Sequence, residues 1–447
     1  MVFPVRQAMR QLTAAVAGGL LALAAAAQPA AGGPGGQDAA ADALSGARLF
    51  ADVQRYAAFG EHRLGTEADR QTTAWLQAEL ARAGFSTSVQ TFSLDRQYEV
   101  QSVDVKIGAV PVSALPFWWP PAGQASFQVR APLAADGDAP APGQIVWVAL
   151  PNLPIEQTAY LGAREKDAIA AAVRRGPAAI VVSFETASGQ PYAFNVAQTD
   201  APWPLPVITV GSAQAPALRA AQQAGQVIDI AVQGRLLQQV QGRNVIARLD
   251  RQAARTVVVS TPSTGWFACA CERGSGIAAF LALARAVAAS TLDANFIFVA
   301  TAGHEVGHGG MGEFLQSQAP APAATEAWLH IGASLACYSW RLQDGQWRAQ
   351  AGADPKRALL FSPALEAAVG VGFAGLEPLQ RAKVESRRPP GELRDIHAAG
   401  YPRFVGMVGA HHYFHNPGDT PATTGPEILA PVGQALWRTL LHIVPSR

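Results

Sequence analysis

Charge is scarce in this chain. Only 15% of its 447 residues are Asp, Glu, Lys or Arg, the formal net charge is +1, and no run of basic residues occurs. That excludes the basic footprint of a nucleic-acid-binding protein. Cysteine is scarcer still, with Cys269, Cys271 and Cys337 alone. An exported chain could form one disulfide from these and leave one thiol over. Cys269 and Cys271 in C-x-C make a poor closed ring, Cys337 could pair with either, and three buried free thiols are the alternative. Long apolar runs are also missing beyond the N-terminus, so no stable membrane span is expected once a leader is removed.

What is present is a largely apolar chain, 49% hydrophobic, long enough for a large core and two domains. Its N-terminus reads as an export signal: Arg6 and Arg10 precede an apolar stretch from Leu12 to about Ala27, followed by small residues. The expected location is periplasmic or secreted, with leader and flexible tail over 1–41.

The next segment, 42–97, holds two helical patterns, "ALSGARLFADVQRYAAFG" and "ADRQTTAWLQAELARAGF". In the second, Trp75, Leu76, Leu80 and Ala83 share one face and Gly84 stops the helix. His62 and Arg63, in "GEHRLGTE" between them, read as loop and surface residues. Over 98–240 short strand-like runs with Pro and Gly turns alternate with two helices, and few His or acidic residues are set for chemistry. This reads as a β-rich, non-catalytic insertion.

A different rhythm fills 241–447. Unbroken apolar strands ("RTVVVS", "ANFIFVAT", "ATEAWLHI") alternate with helices, the longest being "GSGIAAFLALARAVAAS" and "GPEILAPVGQALWRTLLHIV". The pattern predicts a largely parallel α/β sheet covered on both faces. Ligands in such sheets bind beyond the C-terminal strand ends. The polar clusters "STPSTGWFACACERG", "AGHEVGHGG", "HIGASLAC" and "GAHHYFHNPGDT" fall there.

One cluster spells a metalloprotease motif. His304, Glu305 and His308 have H-E-x-x-H spacing, which on a helix puts two zinc-binding imidazoles one turn apart. Yet His304 follows a buried strand almost at once and four glycines surround the motif, so a strand end is expected rather than a zincin helix. A serine hydrolase is set aside, because "GSG" at 274–276 lacks G-x-S-x-G and Ser275 opens a helix rather than a strand elbow.

Taken in order and spacing, "GRNVIARL", "RTVVVS", "GSGIAAFLALARAV", "FIFVATAGHEVG" and "FHNPGDT" resemble the co-catalytic zinc aminopeptidase family, which includes glutamate carboxypeptidases and, more distantly, glutaminyl cyclases. The resemblance covers about Ala43 to Leu94 and Gly242 to the C-terminus. It implies a three-layer αβα zinc-exopeptidase-like sheet, with an inserted protease-associated domain between. The family's metal ligands transfer unevenly. The His and Asp of its H-x-D-S segment fall on Pro262 and Thr264, and the Asp of its N-x-D-M segment on Gly332, with His330 at the Asn. The bridging Asp of D-N-x-S-G falls on Glu272, the Glu pair on His304 and Glu305, and the His of H-T-P-x-D-T on His415. The resemblance therefore implies one zinc at most, held by Glu272, Glu305 and His415, with His304 in the general-base position. A neutral imidazole there can take a proton from zinc-bound water.

The expected activity is that of an exported, aminopeptidase-like metal-dependent hydrolase of peptide or small amide bonds, with His330 and Glu392 as candidate substrate-binding residues. The alternatives are a metal-free binding protein on the same fold, with Glu272 merely paired to Arg273, or a glutaminyl-cyclase-like single-zinc acyltransferase. His308, His411 and His412 are expected at the rim, and Glu392 and Asp395 in a loop.

Overall fold

The computed structural model describes residues 35–121, 123–150, 159–384 and 388–447. The export signal lies outside the described residues. Sixteen strands are described, in chain order β1 (Ser86–Ile107), β2 (Val110–Pro111), β3 (Ala114–Pro116), β4 (Phe127–Pro132), β5 (Ile145–Leu150), β6 (Ala179–Phe184), β7 (Val207–Gly211), β8 (Val227–Leu249), β9 (Thr256–Pro262), β10 (Asn295–Thr301), β11 (Thr325–Ile331), β12 (Tyr338–Gln343), β13 (Gln346–Ala353), β14 (Arg357–Phe361), β15 (Gln380–Lys383) and β16 (Phe404–Gly409). Ten α-helices are described: α1 (Gly35–Ala43), α2 (Gly46–Ala57), α3 (Glu67–Arg82), α4 (Ala163–Arg174), α5 (Ala215–Gln223), α6 (Gly274–Ala288), α7 (Gly309–Ser317), α8 (Glu366–Gly372), α9 (Glu392–Ala398) and α10 (Pro426–Ile443).

The main sheet runs β15-β14-β16-β11-β9-β10-β8-β1-β2, with β4 also on β8. Its centre is parallel: β9 pairs with β10 and β11, and β11 with β16. The unbroken apolar strands follow from burial on both faces. In β10, Phe296, Phe298 and Ala300 join the core on one side, while Ile297 and Val299 join the core with Met311, Phe314 and Leu393 on the other. Successive strand side chains point to opposite faces, so only a strand covered twice needs both sets apolar. Each such buried side chain stabilises the fold by roughly 1.5–3 kcal/mol. The covering helices are α1, α2, α3, α6, α8 and α10 on one face and α7 and α9 on the other. The result is three layers, αβα.

Residues 114–211 contribute a second sheet, β3-β7-β6-β5, with α4 in the same stretch and α5 just after it. The expected boundaries near 97 and 240 fall inside β1 and β8, which pair from Ser86↔Arg248 to Ile107↔Ile228. Among the described residues no helix is long and apolar enough to cross a membrane. Cys271 is bonded to Cys337, and Cys269 is a buried free thiol.

Several expectations need correction. Glu392 and Asp395 lie on a short helix, α9, not in a loop. Gly391 before it has φ 59° and offers no side-chain cap, so the usual start signal is missing. His62 and Arg63 are buried rather than superficial. His62 stacks on Tyr56 and lies 3.1 Å from the Thr72 hydroxyl, and Arg63 donates to the Trp266 carbonyl. His308, His411 and His412 are likewise buried.

Asn244, in "GRNVIARL", clamps the motif loop at both ends. Its Oδ1 accepts from Ala302 N at 3.0 Å and its Nδ2 donates to Gly310 O at 2.8 Å. A Cβ on Gly310 would run into Asn244 Oδ1 and the Ala302 carbonyl, so this glycine is required by close approach. Gly310→Ala is therefore expected to lower stability by about 1–3 kcal/mol, the range for overpacking. Urea unfolding with an unchanged slope would measure it, and a wild-type midpoint would show that the clamp has slack.

Candidate functional site

The parallel strands β9, β10, β11 and β16 end on one side of the sheet, and the polar loops leave from there. Glu272 and Arg273 precede α6 and Glu305 sits in a 3₁₀ turn after β10. His415 has φ 55° in the loop after β16. All four are buried.

At their centre lies the Arg273 guanidinium. Its Nη2 donates to Glu305 Oε1 at 2.8 Å and is 3.1 Å from Glu272 Oε1, while its Nε donates to the Thr264 carbonyl. Glu305 Oε2 accepts from the Thr264 hydroxyl at 2.8 Å, so both oxygens of Glu305 are engaged. His415 Nε2 is 3.2 Å from Glu272 Oε1, and its Nδ1 is 2.6 Å from the Ala193 carbonyl. Burial alone would raise the Glu272 carboxyl from its ordinary 4.5; His415 and Arg273 outweigh that and hold it well below the usual carboxylate range. Burial opposes the Arg273 charge, but Glu272 and Glu305 outweigh it and raise its pKa.

Asp419 organises the loops around this centre. It accepts from Cys271 N and Glu272 N, both at 2.9 Å, and from the Thr423 hydroxyl at 2.7 Å. His411 Nε2 is 3.4 Å from it. Three potential metal-binding side chains gather nearby, Cys269, Glu272 and Asp419. They do not suit zinc. Both Asp419 oxygens already hold backbone N–H groups, and burial, with Glu272 and Asp419 beside it, pushes the Cys269 thiol far up and away from the thiolate that zinc takes.

The sequence-predicted trio Glu272, Glu305 and His415 is brought together, but around a guanidinium. A dication about 4 Å from it would meet a repulsion of roughly 8 kcal/mol, twice the ~4 kcal/mol of two unit charges at an effective dielectric near 20. With Arg273 where it stands, the residues do not fit a zinc ion.

His304 and Glu392 form a separate group with His308, Asp395 and His330. His304 Nδ1 is 3.2 Å from Glu392 Oε1, and Glu392 Oε2 accepts from the Thr301 hydroxyl. Burial, followed by Arg273 and His308, keeps the His304 imidazole neutral. His330 Nδ1 is 2.9 Å from Ser260 Oγ, and burial lowers its pKa to about 4.

Three buried atoms at the centre have no hydrogen-bond partner among the described residues: Glu272 Oε1, Arg273 Nη1 and His415 Nε2. Tyr192 Oη, whose ring stacks on His415, is a fourth. Buried polar groups are nearly always satisfied, so these atoms set the centre apart from the rest of the interior. Sequence reasoning missed the contribution of the inserted segment. Ala193 N donates to His415 O and Val196 N to Glu305 O. The Trp266 indole donates to Asn195 Oδ1. Two of these three contacts are backbone only and leave no side-chain signature.

No family profile and no curated relative matches the sequence. Solved structures do match. A zinc aminopeptidase from Bacillus subtilis is 15% identical, with a TM-score of 0.66, covering 90% of this chain and 95% of that one. This is the zinc-aminopeptidase fold. A peptidase M28 precursor from Shewanella amazonensis (14% identity, TM-score 0.66, 91% and 94% covered) and an aminopeptidase from Aneurinibacillus sp. strain AM-1 (15%, 0.60, 92% and 97%) share it. The zinc-aminopeptidase fold thus extends over almost the whole chain, inserted segment included.

Removing the central cation should be costly. Arg273→Met leaves two buried carboxylates unpaired and should destabilise the protein by about 3–5 kcal/mol, with much of the loss recovered when Glu272→Gln and Glu305→Gln are added. The pH dependence has a definite sign. A depressed carboxyl pKa contributes stability that is complete above the unfolded value near 4.5 and is lost as pH falls towards the folded value. Glu272→Gln should therefore flatten the acid limb of the stability–pH curve below about pH 5. An acid limb identical to wild type would refute the assignment.

Proposed function

We propose that this chain is a binding protein for peptides or small amides, built on the zinc-aminopeptidase fold, with an internal cation where a catalytic zinc would sit. The observation that carries the reading is Arg273, buried and paired with both Glu272 and Glu305. Pro262, Thr264 and Gly332, at other ligand positions of the resemblance, supply no acidic or imidazole ligand. The unpartnered Arg273 Nη1, His415 Nε2 and Glu272 Oε1 offer donors and acceptors for an amide group. The N-terminal leader pattern supports a periplasmic or secreted location.

A second reading is a single-zinc hydrolase. It is favoured by one observation: Glu272 Oε1 and His415 Nε2 are buried and 3.2 Å apart. It requires Arg273 to withdraw.

The two separate cleanly. Chelated protein is given zinc and offered an aminoacyl p-nitroanilide, while calorimetry follows binding of a non-cleaved peptide amide. Binding without turnover, and no change in metal content in Glu272→Gln, is expected. Arg273→Asn, which places the resembling family's residue there, should gain a zinc ion dependent on Glu272. Zinc-restored turnover in the wild type, lost together with the metal in Glu272→Gln, would establish the hydrolase instead.

A further inference from the structure

His304 and His308 meet without a helix. β10 ends at Thr301, Gly303 turns left-handed at φ 78°, and a single 3₁₀ turn spans His304–Val306. Gly307 and His308 are left-handed in turn, at φ 100° and 60°. The chain folds back and places the two imidazoles face to face, 4.7 Å between ring centres and 25° between planes. Glu305, between them in sequence, points the other way, to Arg273.

The ring nitrogens are held from across the cleft. α9 presents Glu392 and Asp395, three apart and so on one face. Glu392 Oε1 is 3.2 Å from His304 Nδ1, and Asp395 Oδ2 is 2.7 Å from His308 Nδ1. Glu392 is itself fully buried and fixed by the Thr301 hydroxyl. A carboxylate on Nδ1 fixes that nitrogen as the donor and leaves the Nε2 lone pair for coordination. This is how metal-binding histidines are usually backed. Two neighbouring imidazoles, each backed by its own carboxylate, have no role in the Glu272–Arg273–Glu305 centre.

We propose that His304 and His308 form a transition-metal site displaced from that centre, taking one divalent ion of the Zn²⁺, Ni²⁺ or Cu²⁺ class through their two Nε2 atoms. Imidazole suits these ions, and a site with two protein ligands leaves positions for water or a ligand carboxylate. A metal lies in the plane of each imidazole it binds, so one ring turns further from the other on loading. The opposing charges are Arg394, whose Nη2 is 3.5 Å from His308 Nδ1, and Arg273, whose charge acts on His304. The inference uses none of Glu272, Glu305 or His415 and stands apart from the proposed function.

The test uses the full chain, stripped by chelation and titrated calorimetrically with Ni²⁺ and Zn²⁺, with Cu²⁺ loading followed by electron paramagnetic resonance. One ion per chain is expected, with copper hyperfine structure from two nitrogens. His308→Ala and His308→Gln should each lose the ion, at unchanged far-UV circular dichroism. Glu392→Gln and Asp395→Asn should each weaken it 10–100-fold, and Arg394→Ala should tighten it. Glu272→Gln should leave it in place. Wild-type protein that takes up no ion overturns the proposal, as does full occupancy in both His308 variants. Loss in Glu272→Gln with retention in His308→Gln would put any metal at the Arg273 centre instead.

Discussion

A buried guanidinium between two buried carboxylates is the constraint around which this molecule is arranged. His415 and Arg273 together hold the Glu272 carboxyl ionised against its burial, and Glu272 and Glu305 together hold the charge of Arg273. The three come from two loops, one before α6 and one after β10, so the contact ties together two adjacent strand ends of the sheet. The Thr264 carbonyl and hydroxyl hold its flanks. Asp419 then fixes the backbone on which Glu272 and Cys271 sit, and the Cys271–Cys337 bond ties that loop to the chain beyond β11. A charge cluster of this kind does not raise stability over an apolar core of equal volume; its effect is to permit one arrangement of the loops and penalise the others.

Much of the fold was legible because its signals are local and repeated. The central "VVV" of β9 and "FIFVA" of β10 are apolar at consecutive positions, which only a doubly covered strand requires, and "GSGIAAFLALARAV" is apolar round most of its circumference because α6 is buried almost throughout. Those stretches gave the layer order without any contact being known. The edges were less readable. The β12–β13 hairpin mixes Trp340 and Trp347 with arginines and glutamines and has no clean alternation. α9 has no capping residue at its start.

The site was legible by residue type but not by direction. Glu272, Glu305 and His415, carried over from the family resemblance, do come together, around Arg273. What sequence could not show is where Arg273 points: an arginine beside a glutamate at a helix start can equally reach solvent. Burial of His62 and Arg63 was hidden for the same kind of reason, since "GEHRLGTE" is polar in composition and its cover comes from Tyr56 and from Trp118 and Trp266, the last two distant in sequence. The strand-end reading of "HEVGH" agrees with the backbone, which has one 3₁₀ turn between left-handed glycines. The two imidazoles nonetheless adjoin, because a left-handed return brings residues four apart together as a helical turn does.

The long antiparallel pair β1 and β8 bears on how such a protein could have arisen and diverged. Both strands continue from the main sheet towards the second one, with a register shift between Val100 and Ser102, so the inserted segment is rooted in paired strand. Its loop at 193–196 also lends backbone groups to His415 and Glu305. The insertion is therefore not a cassette that recombination could exchange freely. A lineage that swapped it for another would have to rebuild the backbone contacts to His415 and Glu305 in the same event, so the two parts are bound to change together.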